Sequence, residues 1–313
     1  MASTQEFRRR IKSVNNTKQI TKAMEMVASV KMQKSIKSIM EARTYVQNSW
    51  NMLLKLANLT LPANHPLLVP RETKKIAIIF VTSDRGLCGA YNSDVLKKLI
   101  SFARENDVIP AKAGIHDRGC CDIIAVGKKG AEFINSYKIG KLIAAFDGLE
   151  SNISLEDIVP ISKMSNGEYL KGTYDKVVII YSHFVSSLKQ IPVVKQVLPL
   201  EKDHIDLPEL WETGDSPQTS EGTVPLHEPE YKIEPNPDEI LEKLLYRFMR
   251  MQIYGAVLEA NASEHSSRMV AMKNATDNAG NLIDDLTLTY NTIRQNSITN
   301  EIAEISGAAE AMK

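Results

Sequence analysis

Cysteine, aromatic residues and net charge are all scarce in this chain. Its 313 residues hold three cysteines, Cys88, Cys120 and Cys121, an odd count with a vicinal pair that does not build the disulfide framework of a small secreted scaffold. A reducing compartment is the expectation. Aromatics make up 6%, which points to helix-rich packing on Leu, Ile, Met and Ala and gives no ladder of stacking residues for single-stranded nucleic acid. Lys and Arg number 38 and so do Asp and Glu, so the chain as a whole is not a polyanion binder. No run approaches the roughly 20 apolar residues that span a bilayer, and no apolar signal core follows the first basic residues, so a soluble protein without a transmembrane segment is expected. Proline and glycine are missing from residues 5–56, and proline is missing again after Pro237. Both stretches are therefore free to be long helices.

What is present fits a folded chain, with 43% hydrophobic and 24% charged residues. Along 5–56, apolar residues recur at helical intervals: Phe7, Ile11 and Val14, then Ile20, Met24 and Val27, then Ile39, Val46, Trp50 and Leu53. One helix of roughly 80 Å is predicted, ended by Pro62, Pro66 and Pro70. Its first part is basic, with nine Lys or Arg from Arg8 to Lys37 against the single acid Glu25. That face is either a docking surface for acidic protein partners or a solvated surface.

From residue 74 to 200 the period changes. Short β-rich runs at 76–82, 122–126 and 176–182 are almost continuously apolar, as central strands buried on both faces are. Helical stretches at 93–105, 128–136 and 155–170 lie between them, which predicts a βαβ parallel sheet, and the proline-bearing run 190–199 reads as an edge strand. Residues 201–234, rich in Pro, Asp, Glu, Ser and Gly, read as an exposed connection. Asn236 as N-cap and Pro237 at the first helical position then open a second helix. Its seam is spaced four and three residues alternately through Leu244, Phe248, Met251, Gly255, Leu258, Ala262, His265, Met269, Met272, Thr276, Ala279, Ile283, Leu286, Tyr290, Ile293 and Ser297. A sustained seven-residue repeat over roughly 100 Å forces a left-handed supercoil, and the small residues Gly255, Ala262 and Ala279 require a close partner. The N-terminal helix supplies that partner most economically. The expected fold is α/β: an antiparallel left-handed coiled coil of the two terminal helices with an inserted Rossmann-like parallel-sheet domain, divided as 1–60, 74–205, an exposed linker 206–235, and 236–313.

Local patterns that invite an enzymatic reading are incomplete. Gly127-Lys-Lys-Gly130 lacks the glycine spacing that aims successive amides at phosphates, so a plain strand-to-helix turn is expected. Cys88 follows a strand, but no neighbouring base marks it as a nucleophile. The six histidines lack zinc spacing. Neither a catalytic residue, a cofactor nor a metal is expected.

Three strings carry more than periodicity can. IKSVNNTKQITKAMEMVASVKM from Ile11, SDRGLCGAYN from Ser83, and SEHSSRMVAMKNATDNAGNLIDDLTLTYNTIRQNSITNEIAEI from Ser263 closely resemble the gamma-subunit family of F-type ATP synthases. The resemblance implies a central-stalk rotor that couples proton flow to ATP synthesis or hydrolysis at beta-subunit sites. It implies as partners the alpha and beta subunits, the epsilon subunit and the membrane c-subunit ring, with the complex peripheral on the cytoplasmic face of a bacterial inner membrane. It also implies beta-subunit contacts at Lys22 and Met24, at Arg268, and at a polar catch of Arg294, Gln295 and Thr299. The stretch 108–119 and the linker around 203–230 are longer than the family pattern, and adjacent Cys120 and Cys121 do not match the spaced redox pair of chloroplast relatives. Two other classes remain as alternatives: a non-rotary coiled-coil adaptor with a Rossmann-like domain, and a nucleotide-binding enzyme.

Overall fold

The computed structural model describes residues 4–60, 66–105, 121–149, 153–200 and 237–312. In chain order the elements are α1 (Thr4–Thr60), β1 (Ile76–Val81), α2 (Tyr91–Glu105), β2 (Cys121–Val126), α3 (Lys128–Tyr137), β3 (Lys141–Phe146), α4 (Leu155–Leu170), β4 (Lys176–Phe184), β5 (Gln190–Leu198) and α5 (Pro237–Ala311). They fall into two compact units, a helical unit of Met1–Ser29 with Arg268–Lys313 and a sheet unit of Val30–Ser267. The stretch 108–119, Cys120, Asn236 and the whole linker lie outside the described residues.

In the sheet unit the strand order is β3-β2-β1-β4-β5. The first four strands run parallel, with Ile78 beside Ile123 on one flank and Val178 on the other. Burial along β1 and β2 is unbroken, as their continuous apolar runs require. Ile78, Phe80, Ile123, Ala125 and Ile180 pack with Val95 and Leu99 of α2 and Ile134 of α3 in one core. Helix α4 begins at Ser154, whose backbone N–H and hydroxyl both reach Asp157 Oδ2, at 2.8 and 2.9 Å. Those hydrogen bonds from Ser154 hold the Asp157 carboxyl below its usual range.

Two features depart from the expected sheet: one edge strand is antiparallel, and one parallel strand is additional. Strand β5 is at the edge as predicted, but it pairs antiparallel to β4, with Pro192 opposite Ser182. Only residues 185–189 join the two strands, and the turn closes with Val185 N donating to Lys189 O at 3.2 Å. So short a link makes a hairpin and cannot make a crossover. Strand β3 was not predicted from sequence. Its KLIAAF alternates exposed and half-buried positions at the other edge and carries two alanines, so no β-rich apolar run announces it.

In the helical unit, α1 and α5 meet through small and polar side chains. Thr276 Oγ1 donates to Met272 O and lies 2.8 Å from Thr21 Oγ1, and a Cβ on Gly280 would stand 3.1 Å from Lys18 Nζ. On α5 the buried Met272, Thr276 and Ala279 continue into half-buried Ile283, Leu286, Tyr290 and Ile293, which follows the predicted seam up to exposed Ser297. On α1 the prediction holds for half-buried Phe7, Ile11, Val14 and Met24 and, in the sheet unit, for buried Ile39, but not for two positions between them. Ile20 and Val27 are 60% and 57% exposed, and the inward line runs through Lys18, Thr21 and Ala28 instead. Close approach selects side-chain size there, so apolarity misplaces the stripe. Val46, Trp50 and Leu53 fall among residues whose side chains are not described.

Candidate functional site

In an open α/β sheet the place for a ligand is the crevice beyond the carboxyl ends of the strands, where the helix N-termini point. The end of β2 leads there through Gly127 at φ +102°, a backbone form in which a Cβ would lie 2.7 Å from the Thr82 carbonyl carbon. The first amides of α3 follow at once. Lys128 N donates to Asp84 Oδ1 at 2.9 Å, Lys129 N to Ser83 O at 3.1 Å, and Gly130 N to Thr82 Oγ1 at 2.8 Å. The second carboxylate oxygen of Asp84 accepts Gly148 N at 2.7 Å. An internal carboxylate thus sits where a phosphate would sit, and the Gly127-Lys-Lys-Gly130 turn has its donors committed.

The preceding SDRGLCGAYN turn is organised around a buried hub. Asn92 Nδ2 donates to Ser83 Oγ at 2.7 Å and lies 3.2 Å from Cys88 Sγ, and Ser83 N donates to Asn92 Oδ1 at 3.1 Å. Cys88 is 2% exposed. The thiol packs inside the turn rather than facing a substrate.

Helix α5 covers the same crevice. Between Leu258 and Ser266 it is buried on every side, and its polar groups bind the loops that end the strands. Ser263 Oγ donates to Ser182 O at 2.9 Å, Ser266 Oγ to Ser187 O at 2.7 Å, Ser267 Oγ to Cys88 O at 2.7 Å, and Asn261 Nδ2 to Leu149 O at 2.7 Å. Beside them His183 Nδ1 lies 2.7 Å from Oε2 of Glu259, a carboxylate with no solvent exposure. Burial, and then this carboxylate, push the Tyr181 hydroxyl well above its usual pKa, so it stays a hydrogen-bond donor. The space left among Thr82, Asp84, Gly127, Asn261 and Glu264 is about 10 Å³, at most one water. Among the described residues, the geometry here fastens a helix to a sheet. Sequence reasoning missed this clasp, although its signal is the polar run Glu259–Arg268 directly after the apolar stretch Ile253–Leu258.

The candidate partner contacts lie along the terminal helices. Lys22 is 54% exposed at its side chain and pairs with Glu25 at 3.0 Å, while Met24 is half-buried. Arg268 is only 8% exposed and engaged within the chain. Arg294, Gln295 and Thr299 are all exposed, with Thr299 Oγ1 donating to Gln295 O at 2.9 Å. A rise of 1.5 Å per residue puts them about 40 Å along α5 from Arg268, so these positions do not form one site.

Residues 3–312 match the family model described as ATP synthase. The ATP synthase gamma chain of Nitrosomonas europaea is 39% identical over 314 residues, covering 100% of both chains. The chain belongs to the ATP synthase gamma chain family. The gamma chains of Heliobacterium modesticaldum and Legionella pneumophila are each 36% identical, again over 100% of both. The chain's fold also superposes on solved structures. A chain of the Euglena gracilis mitochondrial ATP synthase (OSCP/F1/c-ring, rotational state 3) gives a TM-score of 0.62 at 18% identity over 99% of this chain and 94% of that one. One from the Tetrahymena thermophila mitochondrial ATP synthase central stalk and c-ring gives 0.57 at 22% identity, over 82% and 99%. These show a shared mixed α/β fold with a long C-terminal helix. Among the described residues, no helix is long and apolar enough to cross a membrane.

Proposed function

We propose that the chain is the central-stalk rotor subunit of a proton-translocating F-type ATP synthase, carrying torque between the membrane sector and catalytic sites on the beta subunits. The observation that carries this reading is full-length membership of the gamma chain family. A 57-residue and a 75-residue helix at the two ends of the chain support it. In the helical unit, Thr21 meets Thr276 while the lower-numbered Lys18 meets the higher-numbered Gly280, a register that supports an antiparallel pairing of α1 and α5. The four-and-three burial on α5 supports a left-handed coiled coil. A parallel β1–β4 sheet with intervening helices supports a Rossmann-like insertion, and the domain division 1–60, 74–205, 206–235 and 236–313 follows from that reading.

The subunit does no chemistry of its own: Asp84 occupies the N-terminus of α3, and α5 fills the crevice. Its partners are the alpha and beta subunits, epsilon and the c-ring, and it lies peripherally at the cytoplasmic face of a bacterial inner membrane through them. Lys22 and Met24, Arg268, and the exposed Arg294, Gln295 and Thr299 form the beta-subunit contacts. Each beta subunit meets a different face of the shaft, and its ligand affinity shifts by the difference in contact energy alone.

Affinity purification of the tagged chain tests the reading. Alpha and beta subunits should co-purify in equal amounts, three of each per copy of the chain, together with epsilon. A stable homodimer recovered without them supports the non-rotary adaptor instead. Micromolar ATP binding by the isolated chain in a calorimetric titration overturns the non-catalytic assignment.

A further inference from the structure

His183 stands near the end of β4 on the face that α5 covers, and its Nδ1 lies 2.7 Å from Glu259 Oε2. Both side chains are buried, Glu259 completely. Among the described residues, Glu259 Oε1 has no hydrogen-bond partner and His183 is the one basic side chain within ion-pair distance of the carboxylate. Tyr181, two residues earlier on the same face of β4, adds a hydroxyl but no charge, because burial and Glu259 itself keep it protonated.

No water reaches Glu259 to solvate an unpaired charge, so an ionised carboxylate beside a neutral imidazole is strongly unfavourable there. Burial by itself would drive a lone imidazole to give up its proton. Here that loss strands a buried anion, and contact at 2.7 Å in a low dielectric makes the second effect the larger. The pair therefore keeps one proton, on the ring or on the carboxyl, to a higher pH than a histidine in an unfolded chain, which loses it at about 6.5. Other charged groups packed at this end of the sheet unit have their own roles. Asp84 holds Lys128 N and Gly148 N, and Glu41 of α1 acts on Tyr254. On β5 the position opposite His183 is apolar Ile191, with Lys189 exposed in the turn before it. Lys195 on β5, and Glu264 and His265 further along α5, are engaged within the chain.

We propose that His183 and Glu259 form a proton-operated latch that fastens α5 to the sheet, closed while the pair shares one proton and loosened when that proton leaves on the alkaline side of neutrality. A proton held more tightly in the folded chain than in the unfolded one contributes stability that is complete below about pH 6.5 and is lost as the pH climbs through the folded value of the pair. Across that window the folding constant falls by up to about tenfold for each pH unit. The same stretch of α5 carries the bonds of Asn261, Ser263 and Ser266 to the loops at the strand ends, so they loosen with the latch. This goes beyond the central-stalk reading and is a property of the isolated chain, whether or not that reading survives.

Urea unfolding of the full chain at a series of pH values from about 6 to about 9 tests it. The parent should lose at least about tenfold in folding constant above pH 6.5, and His265→Gln should lose as much. Glu259→Gln, which keeps the shape but has no charge to compensate, should lose less than about threefold. Three results overturn the proposal: a parent whose folding constant is flat across the window, an equal loss in Glu259→Gln, or a loss that disappears in His265→Gln. Should Glu259→Gln not fold, amide hydrogen exchange of the parent over residues 258–266 decides. After correction for base catalysis, protection that falls about tenfold on raising the pH supports the latch, and unchanged protection overturns it.

Discussion

Helix α5 lives in two different surroundings along its own length. From Leu258 to Ser266, in the sheet unit, every position is buried, and serines, an asparagine and a glutamate satisfy the carbonyls and histidine at the ends of the strands. From Met272 to Ile293, in the helical unit, only one stripe in each seven residues turns inward, and Leu282 and Leu288 face solvent. A wide interface tolerates polar residues only where each finds a partner, whereas a narrow seam tolerates almost anything outside its stripe. Substitutions should therefore be severe in the first stretch and mild or even favourable in the second.

The largest effect is expected at Glu259. Glu259→Ala strips His183 of its carboxylate, leaves Tyr181 without its charged neighbour and opens a hole in a fully buried stretch, which should destabilise the sheet unit by about 3–5 kcal/mol. Urea unfolding of the purified chain measures it, and a loss under about 1 kcal/mol would mean that the clasp does not fasten α5. Asp84→Ala comes next, removing the acceptor of Lys128 N and Gly148 N for an expected loss of about 1–2 kcal/mol by the same assay. Should it instead confer measurable phosphate binding on the chain, Asp84 is a stand-in for a ligand. The smallest change has the opposite sign. Gly280→Ala brings a methyl against the flexible tip of Lys18 and removes a helix-interior glycine, so a gain of about 0.5–1 kcal/mol is expected from thermal unfolding. A loss there would show a tighter seam than the Thr21–Thr276 contact implies.

The same contrast governs what the sequence reveals. Heptad spacing marks α5 correctly from Met272 to Ile293, because a stripe is a periodic object. It misplaces α1 at Ile20 and Val27, where the inward positions are instead Lys18 and Thr21, chosen for what fits against Gly280 and Thr276. Strands β1, β2 and β4 declare themselves by burial on both faces, while β3 shows no such run because only part of it is covered. The crevice is the least legible part. Asp84 reaches an amide 44 residues later, and Glu259 reaches a histidine 76 residues earlier. No local pattern joins partners so far apart. The family-derived contacts divide similarly: Arg294, Gln295 and Thr299 are presented to solvent, whereas Arg268 turns into the protein.

One carboxylate at the head of α3 has a consequence for the machine. A component surrounded by ATP, ADP and phosphate would be a poor transmission element if its stiffness varied with their concentrations. With Asp84 wedged against the first amide of α3, an outside phosphate would have to displace a carboxylate of the chain itself before it could sit there, which guards the transmitting part against such interference.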